Sequence, residues 1–149
     1  MVKPLSENRR ARFDYDIIDT YEAGIELKGF EVKSVTSGRG NLTGAYAIVR
    51  GGEVWLLNME IPPYQPANMP SDYDSTRTRR LLLKKEEIKV LTGKIKERGL
   101  TLIPLKLYSK NRRIKIALGL GKAKKKYDKR EAIKKRETER EIRRQMRKG

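Results

Sequence analysis

Arg113-Ile114-Lys115-Ile116-Ala117-Leu118-Gly119-Leu120 is the stretch that decides the fold. Ile114, Ile116, Leu118 and Leu120 fall on one side, and Arg113, Lys115 and Ala117 on the other. That period of two marks a strand with one buried face. Just upstream, residues 109–112 turn the chain. Residues 100–108 form an apolar run in which Pro104 demands a sheet edge or a bulge. Residues 85–98 carry Ile88, Leu91 and Ile95 on one helical stripe, with Gly99 as the stop. Residues 45–50 and 53–57 flank Gly51-Gly52, a hairpin signal because a tight primed turn needs positive φ. Nearer the N-terminus, Phe13-Asp14-Tyr15-Asp16-Ile17 and Ile25-Glu26-Leu27 alternate around a hairpin expected at 22–24. Residues 30–37 read as a short helix with Val32 and Val35 on one side. Residues 61–78 hold four prolines and read as a long surface loop, after which Leu81-Leu82-Leu83 restarts buried structure.

Short antiparallel strands punctuated this often predict a mainly β protein, a small barrel of about six strands, because closure removes exposed edges. Three regions are expected: a mobile basic arm over 1–12, the barrel over 13–120, and a basic tail over 121–149. The 149 residues carry a net charge of +17 and are 37% hydrophobic and 37% charged. The tail alone holds fourteen Lys/Arg against five Asp/Glu. Such a polycation calls for a polyanionic partner.

The chain has no Cys and no His, which excludes disulfides, thiolate metal sites and His-based acid/base catalysis. No apolar run approaches the roughly 20 residues of a membrane span, and residues 1–12 lack the apolar stretch of a secretory signal. A cytoplasmic protein with no membrane partner is expected. The acidic pairs Asp14/Asp16, Asp72/Asp74 and Glu86/Glu87 have no diagnostic spacing, and Gly119-x-Gly121-Lys122 lacks the rest of a phosphate-binding loop. Those glycines read as the end of the last strand. Neither catalysis nor a cofactor is expected.

Binding has more support. Arg77-x-Arg79-Arg80 and the group Lys110, Arg112, Arg113 and Lys115 form basic patches suited to phosphate. Candidates for specific contacts are Asn8, Tyr21, Glu22 and Tyr46. Glu22 is the odd one, since phosphate would repel it. Either it accepts hydrogen bonds from base edges or it is a plain turn carboxylate. The tail has helix propensity but few apolar anchors (Ala132, Ile133, Ile142, Met146), so it is expected to be disordered alone and helical on a polyanion. Tyr127 follows Lys124-Lys125-Lys126 and is placed to stack on a base. A ribosomal protein or general RNA chaperone with a basic tail is the competing reading.

These residues lead to a resemblance. Ala11-x-x-Asp14-Tyr15, Tyr21-Glu22-Ala23-Gly24-Ile25, Glu31-Val32-Lys33-Ser34, Thr76-Arg77-x-Arg79-Arg80-Leu81-Leu82-Leu83, Pro104-Leu105-Lys106-Leu107-Tyr108 and Tyr127-Asp128-Lys129-Arg130-Glu131 together resemble the SsrA-binding (small protein B, SmpB) family. The resemblance implies an OB-like barrel with two or three flanking helices. It implies binding to the tRNA-like domain of transfer-messenger RNA (tmRNA) and delivery of the alanyl-charged RNA to stalled ribosomes. The partners it implies are tmRNA, the 30S/70S ribosome with its rRNA, and elongation factor Tu indirectly, around a monomer. By motif position the family's RNA-binding residues fall on Asn8, Glu22, Leu82 and Lys115, with Arg77, Arg79 and Arg80 as added phosphate contacts. Lys124, Lys125, Tyr127, Asp128, Lys129 and Arg130 fall where the family's tail meets the decoding centre and mRNA channel. Phe13, Ser75, Lys84 and Ala123 depart from the family's usual His, Pro, His and Gly.

Overall fold

In the computed structural model the elements run β1 (Pro4–Glu7), α1 (Ala11–Asp14), β2 (Tyr15–Ile25), α2 (Gly29–Thr36), β3 (Tyr46–Arg50), β4 (Glu53–Leu57), β5 (Arg79–Leu82), α3 (Lys85–Arg98), β6 (Thr101–Lys110), β7 (Arg113–Ala123) and α4 (Lys126–Lys148). Residues 4–65 and 70–148 are described, with the backbone alone at 126–129, 131–132 and 146–148. The pairings, all antiparallel, run β6–β3–β4–β5–β2–β7, and β7 returns to β6, so six strands form a ring. A mainly β, OB-like architecture results.

Inside the ring, the alternation read from sequence becomes β7, with Ile116, Leu118 and Leu120 fully buried. Leu102, Leu107, Val54, Leu56 and Leu81 meet them, and α2 and α3 add Val35, Ile88 and Leu91. Val32, expected beside Val35, is instead exposed. Both hairpin turns are of the primed kind. Gly51 and Gly52 have φ of 61° and 73°, while Asn111 and Arg112 reach 52° and 62° without glycine. At the end of α3, Gly99 takes the left-handed conformation.

Three further expectations change. The arm expected to be mobile contributes a seventh strand, β1, whose Ser6 and Glu7 pair with Leu107 and Lys106. A four-residue strand is too short to show a period, and it adds to a flank that the rest of the chain builds. No hairpin interrupts residues 22–24. β2 runs unbroken along β7, from Tyr15 opposite Ala123 to Gly24 opposite Lys115. An irregularity between Ile17 and Asp19 leaves Ile18 exposed, which breaks the alternation that a continuous strand would show. On β6, Pro104 sits at a bulge, one of the two places expected for it. That bulge shifts the phase so that both Leu102 and Leu107 point inward.

Gly119 and Gly121 also do more than end a strand, because both pair with β2 and β6. A Cβ on Gly121 would stand 2.6 Å from the Asp16 carbonyl oxygen, a backbone atom that cannot swing away. Gly121→Ala is therefore expected to destabilise the fold by about 1–3 kcal/mol, the usual cost of overpacking. Thermal melting checks this, and an unchanged Tm would show that β2 yields freely here.

Candidate nucleic-acid interface

Register brings together residues far apart in sequence. Lys115 on β7 lies opposite Tyr108 on β6 and Gly24 on β2, and Gly24 lies opposite Leu82 on β5. One row across the outer surface thus reads Tyr108, Lys115, Gly24, Leu82. The adjoining row holds Lys106, Ala117 and Glu22. Gly24 keeps the first row flat, since a Cβ there would stand 3.2 Å from Leu82 Cβ. Leu82 is 44% exposed, an apolar group laid open among cations. Beside it opens a groove of about 390 Å³, with Leu27, Val32 and Ile114 on its walls and Arg112, Arg113 and Lys115 also lining it.

Glu22 is not a turn carboxylate. It stands on the middle of this face, where the Tyr108 hydroxyl donates to its Oε2 and Lys110 Nζ lies 3.3 Å from both oxygens. The Tyr108 hydrogen bond is the main reason its pKa falls below the ordinary value. Partial desolvation opposes this, and Lys110 and Lys115 reinforce it. The same contact, after burial, raises the pKa of Tyr108. The result is a charged, oriented acceptor on a basic surface.

Asn8 joins from β1's end. At the Pro104 bulge the carbonyls of Pro104 and Leu105 lie within its reach. Asn8 takes both, donating from Nδ2 to Pro104 O at 2.9 Å and from its backbone N–H to Leu105 O at 2.8 Å. It lines a cavity of about 510 Å³ with Arg9, Arg12, Thr20, Lys106 and Ala117, which continues the row of Glu22.

The Arg77-x-Arg79-Arg80 patch resolves differently. Arg79 is fully buried and cannot meet RNA, which overturns its assignment as a phosphate contact. Its Nη2 and Nε donate to Glu31 Oε2 at 2.7 and 3.0 Å, and its Nη1 donates to Met59 O at 2.6 Å. Arg77 also bonds Glu31, and Lys28 N–H donates to Glu31 Oε1 at 2.9 Å. Burial alone would raise the pKa of Glu31, but the bonds from Arg77, the Lys28 backbone and Arg79 hold it at about 2. Tyr73 completes the cluster, donating to Ile61 O at 2.8 Å and meeting Phe30 edge-on at 5.0 Å. The cluster straps the proline-rich loop to α2. Arg80 is half-exposed but paired with Glu53 at 2.7 Å and Glu26 at 3.2 Å.

Other candidates fall into structural places. The half-buried Tyr21 accepts a hydrogen bond from Lys94 at 3.2 Å, and Lys94 pairs with Asp19 at 2.6 Å, tying α3 to β2. Tyr46 is exposed at a different cavity, with Arg10 and Tyr15. Asp74 caps the turn at Thr76 N–H, and Glu87 caps α3 at Lys84 N–H. Among the described residues no group of Asp and Glu is placed to hold a metal, and no helix is long and apolar enough to cross a membrane.

In the tail, Lys124 is anchored: its backbone N–H donates to Asp14 O at 2.9 Å and its Nζ to Arg12 O at 3.0 Å. Lys125 and Arg130 are exposed. The side chains of Tyr127, Asp128 and Lys129 lie outside the described residues, although their backbone belongs to α4. Tyr108 and Gly24 stand within motifs of the sequence, but the motifs assign neither a role at this face. Their places depend on strand register, which has no local signal.

Comparison with known proteins places this geometry. The family model described as SmpB protein matches residues 5–148. An SsrA-binding protein of Gloeobacter violaceus is 55% identical over 97% of this chain and 95% of its own length. One from Synechocystis sp. is 51% identical over 97% and 94%. A chain in a solved structure of tmRNA-SmpB, described as a journey to the center of the bacterial ribosome, is 47% identical with a TM-score of 0.67, covering 85% of this chain and 92% of that one. With the match running through sheet, loop and tail alike, this chain belongs to the SmpB family of SsrA-binding proteins.

Proposed function

We propose that this chain is a non-enzymatic adaptor of trans-translation in the cytoplasm. It binds the tRNA-like domain of tmRNA through its β2–β7 face and brings the alanyl-charged RNA to stalled ribosomes, with elongation factor Tu engaged only through that RNA. The observation that carries the reading is the gathering of Glu22, Leu82 and Lys115 onto one exposed face, with Asn8 at its margin. Cations there supply phosphate contacts, while Glu22 and Leu82 supply what phosphate does not: an acceptor for base N–H groups and an apolar surface for an unstacked base. The family relationship and the tmRNA-SmpB structure support the choice of RNA. α4, with Lys124 and Lys125 leading into it, supplies a separate cationic segment for rRNA, in which Lys124, Lys125, Tyr127, Asp128, Lys129 and Arg130 meet the decoding centre and mRNA channel.

Binding to the tRNA-like domain at near-physiological salt, against excess ordinary tRNA, tests this. Binding that survives the competitor is expected. Equal loss to both RNAs would favour a general RNA chaperone. Glu22→Ala should weaken the specific complex by about 1.5–3 kcal/mol, the range for hydrogen bonds to a charged group, although it makes the protein more positive. A tighter specific complex would remove Glu22 from base recognition.

A further inference from the structure

Glu22 shares its face with Lys106, Lys110, Arg113 and Lys115. Left to itself, a long, mobile carboxylate there would swing onto the nearest ammonium, cancelling its own charge and hiding its acceptor atoms. Exposed pairs of this kind are worth only about 0–1 kcal/mol, so a modest, well-directed contact decides where the carboxylate rests. Tyr108 provides it. The residue is only 8% exposed, it is held towards the end of β6 by pairing with both β1 and β7, and Lys106 Nζ lies over its ring at 5.7 Å. A phenol fixed this way has one hydroxyl proton to give, and Glu22 Oε2 is its acceptor. Among the described residues Oε1 is met only by Lys110, at 3.3 Å.

We propose that Tyr108 is a positioning residue for RNA recognition: it pins one oxygen of Glu22 so that the carboxylate faces outward as an acceptor for the N–H groups of an unpaired base. This rests on the adaptor reading above. A carboxylate has about four lone-pair sites; Tyr108 takes one, and a base edge takes the rest by displacing the long, exposed contacts of Lys110 to the two oxygens. Guanine, with two donors side by side on its Watson–Crick edge, fits it best. The specificity of the face then depends on a hydroxyl that touches no RNA.

Tyr108→Phe in the full chain keeps the ring and removes the hydroxyl. Binding to the tRNA-like domain with excess tRNA present is expected to weaken about five-fold, equivalent to about 1 kcal/mol. The slope of affinity against salt should stay the same, because no phosphate-neutralising cation is lost. In a Glu22→Ala background the same change should have no further effect, since no acceptor is left for the hydroxyl to position. Unaltered affinity of Tyr108→Phe, or the same loss in both backgrounds, would overturn the proposal. A parent chain unable to tell the two RNAs apart would overturn the adaptor reading and this proposal with it.

Discussion

Glu31→Ala is expected to destabilise the fold by about 3–5 kcal/mol, because it leaves the fully buried guanidinium of Arg79 without its counter-charge. In a chain of this size that lowers Tm by on the order of 10 °C or more. The effect would not stay local. Glu31 binds Arg77, Arg79 and the N-terminal backbone of α2 at once, so its loss frees one end of the proline-rich loop and the start of β5. Replacing both Glu31 and Arg79 with apolar residues of similar volume should recover much of the stability, since the penalty comes from an unpaired charge more than from the absence of a bond. The same carboxylate sets an acid limit. Its pKa is depressed from an ordinary 4.5 to about 2 in the folded chain. Its contribution, about 3 kcal/mol by linkage, is therefore complete above the unfolded value and is lost as pH falls through about 4.5 towards 2. Equilibrium unfolding of parent and variant between pH 7 and pH 2 checks both points. A Glu31→Ala cost below about 1 kcal/mol at pH 7 would mean that water reaches Arg79.

This network also shows where sequence reading stopped. Three arginines in four positions look like a phosphate patch, and nothing in residues 77–80 reveals that one will be buried. The answer lies 48 residues away, in a glutamate on α2 that reads as an ordinary first-turn acid. Glu22 posed the same difficulty, because its hydroxyl partner is 86 residues distant. Local signals fared better. Gly51-Gly52 and the Ile88, Leu91, Gly99 pattern specify their turn and helix from within, so the β3–β4 hairpin and α3 appear where expected. Bulges were the other barrier. Ile18 and Pro104 each shift the phase of a strand, and the residue that ends up outside follows from pairing, not from periodicity. The outward side of β7 was legible because that strand has no such break.

The division between body and tail carries the second large effect, and the structure fixes where to cut. β7 does not end at Leu120: Gly121, Lys122 and Ala123 pair with Ile17, Asp16 and Tyr15, and Lys124 N–H reaches Asp14 O. A chain stopped after Leu120 would lose those bonds and confuse instability with loss of function. Stopped after Lys125, it keeps them. It loses residues 126–149, which hold eleven Lys/Arg and five Asp/Glu, so its net charge falls from +17 to +11. The fold should barely notice. Among the contacts given up with the described part of α4 is Arg136 over the Phe13 ring at 5.6 Å, worth about 0.5–1 kcal/mol at an exposed site. Discrimination between the tRNA-like domain and ordinary tRNA should persist, because Asn8, Glu22, Leu82 and Lys115 all remain. Tagging of stalled ribosomes should fall to background, because the cationic helix proposed for the mRNA channel is gone. Measuring both on the same protein separates the roles: lost discrimination would place RNA recognition in the tail, and full tagging would take the tail out of the decoding step.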